Sequence, residues 1–77
     1  MRPALTHAEP LPDHILAVTF DNGFRGFLDL KPFLDFGVFH RLQDPAQFQK
    51  VRIAFGTVEW ECGVDLDPEY LLSHATQ

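Results

Sequence analysis

Hydrophobic and polar residues alternate on both sides of Asp21-Asn22-Gly23. Asn-Gly between two runs rich in branched and aromatic residues predicts a β-hairpin, because Asn and Gly tolerate the positive φ that a tight turn needs. A three-residue loop over 21–23 makes one face of the hairpin wholly apolar, whereas a two-residue loop over the last two of these residues puts charged side chains on that face. The pattern therefore predicts strands over about 14–20 and 24–30, with Phe20 opposite Phe24.

A second alternation of apolar and polar residues lies in the third quarter of the chain. A two-residue loop at Gly56-Thr57 would set Ile53 opposite Trp60 and Arg52 opposite Glu61. Every apolar side chain then shares one face, an opposite-charge pair lies on the other, and Gly at the first central position suits a type II′ turn. This pattern predicts a second β-hairpin.

Proline marks the remaining elements. Residues 31–37 predict one helical turn, and Asp44-Pro45 and Asp67-Pro68 each place a capping acid before a proline that suits the first helical position. Residues 4–9 predict a weak edge strand, and the polar tail over 75–77 is expected to fray.

These elements predict a single α+β domain over 1–77, with a small, mainly antiparallel sheet built from two β-hairpins and two or three short helices. A domain of this length buries only about 60–65% of its unfolded surface, so the abundant Phe residues and the Trp must form most of the core. The residues predicted to be mostly buried are Leu16, Val18, Phe20, Phe24, Leu28, Phe48, Ile53, Phe55 and Trp60, together with Val38, Phe39 and Leu42 in the connection after the first hairpin. Ile15 and Phe27 fall on the other face of the first hairpin and need a cover, either a helix of this chain or another protein.

The charge is unevenly distributed. The chain has six Lys and Arg against eleven Asp and Glu, a formal charge of −5. No basic residue follows Arg52, but five acidic residues do: Glu59, Glu61, Asp65, Asp67 and Glu69. An acidic domain repels phosphate, so we expect no direct nucleic-acid binding. This acidic segment after Arg52 either forms an ordinary solvated face or favours a basic partner.

The sequence carries no recognisable catalytic or metal motif. Cys62 is the single cysteine, and the four His residues lack ligand spacing. Asp65, Asp67 and Glu69 alternate as in a calcium loop, but Tyr70 stands where an EF-hand needs glycine. We therefore expect no cofactor, no metal and no catalytic residue. No signal peptide or membrane-spanning run is visible, which indicates a cytoplasmic protein that does not engage membranes.

The order of motifs along the chain is distinctive. It runs Val18-Thr19-Phe20-Asp21-Asn22-Gly23, Asp29-Leu30, Gly37-Val38-Phe39 with Leu42, Asp44-Pro45 with Phe48, Val58-Glu59-Trp60 and Gly63-Val64-Asp65-Leu66. Over about residues 7–72 this order resembles the domain of unknown function 2442 family of small bacterial proteins. The resemblance implies no established enzyme activity, and a Gly-x-Asp-Leu-x-Pro segment of unassigned role. Many members are encoded beside another small protein, which implies a toxin–antitoxin-like pair. Some carry a C-terminal helix-turn-helix domain that has no counterpart in these residues.

Two functional hypotheses of different classes follow. The first is a small cytoplasmic protein-interaction module, the acidic partner of such a pair, which binds another protein or itself. Its candidate interaction residues are Ile15, Phe27, Glu59, Glu61 and Asp65. The second is a small ligand-binding protein or enzyme that uses Asp65, Asp67, His74 and Cys62. A pocket on which these four side chains converge would favour the second hypothesis.

Asp65 itself has two open interpretations. It either accepts backbone N–H groups in the turn before the last helix, or stays exposed to meet a basic partner.

Overall fold

The first sheet contains the predicted hairpin and an added edge strand. The computed structural model describes residues 3–76. The strands lie antiparallel in the order β1-β2-β3, with bounds β1 Leu5–Leu11, β2 Ile15–Phe20 and β3 Arg25–Asp29. The N–H of Phe20 donates to the carbonyl of Phe24 (2.9 Å), and Gly23 closes the loop with a φ of +90°. The predicted three-residue loop is confirmed, with Gly23 as the left-handed bulge residue.

The second sheet has the order β4-β5-β6, with bounds β4 Val51–Ala54, β5 Thr57–Trp60 and β6 Asp65–Leu66. Its first hairpin is confirmed, but the predicted loop at Gly56-Thr57 is wrong. The turn is Phe55-Gly56, and Arg52 lies opposite Glu59, with 3.1 Å between the guanidinium and the carboxylate. Both turn residues have positive φ, 54° and 77°, as a type I′ turn requires. The apolar pattern and the type II′ preference of Gly had favoured Gly56-Thr57, and an aromatic residue rarely adopts the positive φ that Phe55 has here.

The second sheet gains its last strand through a loop of the same kind as the first hairpin. The N–H of Trp60 donates to the carbonyl of Val64 (2.7 Å), and Gly63 has a φ of +94°. Gly63 follows Trp60 by three residues, as Gly23 follows Phe20. This spacing was the signal for β6, which the sequence analysis did not use.

Short helices connect and follow the sheets. They are 3₁₀ helices at Pro12–His14, Lys31–Phe33 and Gly37–Gln43, and α-helices α1 Pro45–Phe48 and α2 Pro68–His74. The predicted caps are confirmed, since the carboxylate of Asp44 accepts the N–H of Ala46 (3.0 Å) and that of Asp67 accepts the N–H of Glu69 (2.8 Å). The α+β class is therefore confirmed, with the strands divided between two sheets. Among the described residues, no helix is long and apolar enough to cross a membrane.

The start of β1 joins the two sheets. Leu5 lies opposite Phe20 in the first sheet, while its N–H donates to the carbonyl of Gly56 in the β4–β5 turn (2.8 Å). A Cβ on Gly56 would lie 3.2 Å from the Ala4 side chain, so the absence of a side chain there permits this close approach. The strand also runs further than predicted, to Leu11, because Pro10 is tolerated on an edge strand.

One core serves both sheets. Its buried residues are Leu5, Leu16, Val18, Phe20, Leu28, Leu30, Leu42, Phe48, Val58, Trp60, Val64, Leu66 and Leu71. At its centre the Trp60 ring stacks on Phe48 with 6.1 Å between centroids, and the indole N–H donates to the Phe48 carbonyl (3.0 Å). The buried tryptophan therefore has a partner for its polar group.

Three predicted core positions are wrong, and two are only half-buried. Ile53 is 39% exposed and Phe55 is 102% exposed, because the turn lies one residue earlier than predicted, which pairs Ile53 with Val58 instead of Trp60 and puts Phe55 at the tip of the turn. Val38 is also exposed, since the 3₁₀ helix at Gly37–Gln43 turns Leu42 inward instead. Phe24 and Phe39 are half-buried against the core.

The C-terminal tail does not fray at Thr76. Its N–H donates to the carbonyl of Phe27 (2.9 Å), and the N–H of Phe27 donates back to the Thr76 carbonyl (2.7 Å). A Cβ on Gly26 would lie 2.9 Å from the Thr76 carbonyl oxygen, so glycine is required beside this bridge. Gln77 lies outside the described residues.

Replacing Trp60 by Ala is expected to lower the free energy of unfolding by about 3–5 kcal/mol, because it empties the centre of the core. That is a large share of the roughly 5–15 kcal/mol that holds a domain together. Denaturant unfolding followed by circular dichroism measures the change. Trp60→Phe keeps a ring on Phe48 and loses only the indole N–H and part of the ring volume, so it should cost less. An unchanged unfolding midpoint for Trp60→Ala would contradict this placement.

Replacing Phe55 by Asn is expected to raise the free energy of unfolding by about 1 kcal/mol, because Asn-Gly suits a type I′ turn and Phe does not. The urea midpoint should rise with an unchanged slope. Phe55→Leu is the control, since it removes the exposed ring and keeps the backbone strain. Equal stabilisation by both variants would show that the exposed ring, and not the turn, is responsible.

Candidate functional site

The outer face of the first sheet is an open, partly apolar surface. Strand pairing aligns its side chains in three rows: His7, Thr19 and Arg25; Glu9, Ala17 and Phe27; Leu11, Ile15 and Asp29. We call these nine residues the outer face. Phe27 lies in the middle row on the edge strand β3 and is 49% exposed, Ile15 is half-buried, and a groove of about 550 Å³ runs over the three strands. The structure therefore brings Ile15 and Phe27 together on one uncovered surface.

Charge lies at the margins of the outer face. Asp29 ends one row, and the backbone N–H of Lys31 donates to its carboxylate (2.9 Å). That hydrogen bond, helped by the Lys31 ammonium 3.0 Å away, holds the pKa of Asp29 below its usual range. Hydrogen bonds to Asp29 and Asp13 in turn raise the pKa of Lys31. The ion pair occupies Asp29, which leaves Glu9 and Arg25 as the charges nearest Phe27.

The acidic candidates lie on the second sheet. Arg52, Glu59 and Asp65 form one row across β4, β5 and β6. Glu59 is paired with Arg52, and Glu61 lines a shallow depression with Lys50 and Arg52. Within residues 3–76 the Asp65 side chain is exposed and has no hydrogen bond or ion pair. The five candidate interaction residues therefore fall on two different sheets and do not form one patch.

The four residues of the enzyme or ligand-binding hypothesis are divided in the same way. Asp65 and Asp67 line one cavity, and Asp67 and His74 line a shallow groove along α2. Cys62 lies on the β5–β6 loop and lines neither, and its carbonyl accepts the guanidinium of Arg41 (2.9 Å). Over the described part of the chain, no group of three or more His, Cys, Asp or Glu could hold a metal ion.

Sequence reasoning missed a small cavity beside Asp65. Three half-buried aromatic rings and a core leucine line it together with two carboxylates: Phe33, Phe39, Tyr70, Leu66, Asp65 and Asp67. We call it the aromatic cavity, and its volume is about 300 Å³. Phe33 meets Tyr70 edge to face (5.6 Å between centroids) and is tilted against Phe39 (6.1 Å). The rings come from three separate segments, so no local pattern could reveal the cavity.

The family comparison agrees with the order of motifs. The profile of the family described as protein of unknown function (DUF2442) matches residues 5–77. The chain belongs to this family. The predicted resemblance is confirmed, and the match also covers the start of β1 and the tail that pairs with Phe27. No curated protein matches the chain, and no solved structure matches it.

The Gly-x-Asp-Leu-x-Pro segment of this DUF2442 chain has a structural explanation at every named position but one. Gly63 supplies the positive φ of the β5–β6 loop, Leu66 lies in the core, and Pro68 begins α2 behind its cap Asp67. The carboxylate of Asp65 accepts no N–H within the described chain, and the residue lies opposite Glu59. Its structural interpretation is therefore not supported, and its exposure favours a role in binding.

Replacing Asp67 by Ala in this DUF2442 domain is expected to lower the free energy of unfolding by about 0.5–2 kcal/mol, because α2 loses its cap. Asp65→Asn should change it by no more than about 0.5 kcal/mol. Urea denaturation of both variants measures the difference. Asp67→Asn is the control, since Asn caps as well as Asp and removes the same charge. A loss for Asp65→Asn as large as that for Asp67→Ala would restore the structural interpretation of Asp65.

Proposed function

We propose that this protein is a small cytoplasmic protein-interaction module that binds its partner through the outer face of the first sheet. The observation that carries the proposal is the exposure of Phe27 over an open groove, with Ile15 and Leu11 beside it. A face of an antiparallel sheet that is left to solvent normally carries polar residues. An apolar centre ringed by charges is instead typical of a surface that another protein covers.

The chemistry of the partner follows from charge. The chain carries a net charge of −5, whereas on the outer face Glu9 is balanced by Arg25 and Asp29 is paired with Lys31. A basic protein is therefore drawn to this domain, and nucleic acid is repelled. We propose that the partner is encoded beside this protein in a toxin–antitoxin-like pair, as the resemblance to small bacterial proteins implies.

The size of the outer face limits how the partner binds. A standard interface uses about 20–30 residues on each side, more than the outer face offers. The partner must therefore extend beyond it. The outer face also carries both Glu9 and Arg25, so a second copy of this chain could dock on it by pairing opposite charges across a two-fold axis. Self-association is the second candidate.

The test compares two lysine substitutions in affinity purification from the native host. Phe27→Lys should abolish capture of the partner, because it places a charge at the apolar centre, while its backbone bridge to Thr76 is kept. Phe36→Lys is the matched control, since Phe36 is 67% exposed and lies outside the outer face. Equal melting temperatures of the two variants confirm that the fold is intact.

The outcomes separate the candidate partners. A protein retained by wild type and by Phe36→Lys but lost with Phe27→Lys supports the proposal. A purified dimer, seen by sedimentation, that dissociates only with Phe27→Lys assigns the outer face to self-association. If a reproducible partner survives Phe27→Lys, the outer face is not its docking surface.

A further inference from the structure

We propose that the aromatic cavity is a second site, which receives one cationic side chain, preferentially arginine, from a basic protein segment. This site lies beside α2 and β6 and shares no residue with the outer face. The inference therefore goes beyond the proposed function and does not depend on it.

The rings of the aromatic cavity are arranged for a cation. Phe33 lies between Tyr70 and Phe39, and no two of the three rings in contact are parallel, with interplanar angles of 72° and 46°. Such an arrangement directs ring faces and edges into the same space. A cation within about 6 Å of several ring centroids is attracted by their quadrupoles. The rings alone would also suit an apolar ligand. The carboxylates beside them therefore decide that the occupant carries a positive charge.

Two acids, Asp65 and Asp67, line the aromatic cavity. Neither Asp65 nor Asp67 has an ion pair with another residue of 3–76. Asp67 uses one oxygen for the N–H of Glu69, and Asp65 makes no hydrogen bond within that range. Glu59, which lies opposite Asp65 on the neighbouring strand, is itself paired with Arg52. Aromatic walls with an unneutralised acidic rim complement a positive charge carried on an apolar stem.

Arginine fits these features better than lysine. Its planar guanidinium stacks on aromatic rings, pairs with carboxylates through two hydrogen bonds and is more weakly hydrated than an ammonium group. The volume of about 300 Å³ lies at the lower end of ligand pockets, which suits one side chain better than a whole metabolite. His74 stacks on Tyr70 with 3.9 Å between ring centroids and does not line the aromatic cavity.

The test titrates the full chain with a capped pentapeptide, acetyl-Gly-Gly-Arg-Gly-Gly-amide, and follows backbone amide shifts by NMR. We expect saturable shifts centred on Phe33, Phe39, Leu66 and Tyr70, with a dissociation constant in roughly the millimolar range for one side chain. The same peptide with citrulline is a neutral isostere and should not bind. A lysine peptide should bind more weakly than the arginine peptide.

Four variants locate the interaction. Asp65→Asn and Asp67→Asn remove one charge each, keep the fold and should weaken arginine binding by about fivefold or more. Glu61→Gln removes the same charge outside the aromatic cavity and should change the affinity by less than about twofold. Phe27→Lys, on the outer face, should leave peptide binding intact, which keeps this test separate from that of the proposed function.

Each remaining outcome overturns the proposal. Equal binding of the arginine and citrulline peptides would show an apolar site without charge recognition. Equal weakening by Glu61→Gln and Asp65→Asn would show attraction to the acidic surface as a whole. Shifts centred away from the aromatic cavity, or none at concentrations about tenfold above the millimolar range, would remove the site.

Discussion

The structure depends on one constraint: neither three-stranded sheet can bury its apolar face alone. A sheet that is apolar on one face must bury that face against another element, and a chain of 77 residues has few helices with which to cover two sheets. The chain meets the constraint by joining the inner faces of both sheets in one core, centred on Trp60 and Phe48. Leu5 completes the joint, because it lies in the core, opposite Phe20, and donates its N–H to Gly56. With the inner faces used in this way, the outer face of the first sheet is left without a cover.

Much of this fold could be predicted because it is encoded locally. Gly23 and the apolar alternation around it determine the first hairpin, and Asp44-Pro45 and Asp67-Pro68 determine two helix starts. The turn at Phe55 could not be predicted. The register of the β4–β5 hairpin is decided by tertiary pairing, which outweighs the energetic cost of positive φ at an aromatic residue. The β6 strand was predictable in principle, because Gly63 repeats the position of Gly23.

The two candidate sites also differ in whether local sequence encodes them. The outer face could be predicted, because strand alternation alone places Ile15 and Phe27 on the side opposite the core. The aromatic cavity could not, because Phe33, Phe39 and Tyr70 meet only when a 3₁₀ helix, its successor and α2 pack together. Sequence reasoning found Asp65 and Asp67 as acids, but two of the three rings beside them, Phe33 and Phe39, come from distant segments. The aromatic cavity therefore depends on long-range packing, which could not be predicted from one sequence.

Backbone strain in this chain has two different origins. Asp13 and His14 both have positive φ, 68° and 58°, at the corner between β1 and β2. Lys31 donates to the Asp13 carbonyl (2.9 Å), and the His14 ring bonds the Leu42 carbonyl (2.8 Å) and lies against Phe48. Tertiary contacts thus hold that corner in place. At Phe55 the fully exposed ring is not packed against the fold, and the strained backbone is held by the β4–β5 pairing and by the hydrogen bond from Leu5 to the neighbouring Gly56.

The outer face and the aromatic cavity rely on different forces, and this difference bears on how one partner could use both. Binding over Phe27 gains its energy from apolar surface removed from water, which ordinary salt scarcely weakens. Binding beside Asp65 gains it from charge on an exposed rim, which is screened over roughly 8–10 Å at physiological salt. A basic partner would therefore be drawn in by the acidic rim and held by the apolar face. The uneven charge of the chain would then raise the association rate constant more than it lowers the dissociation rate constant.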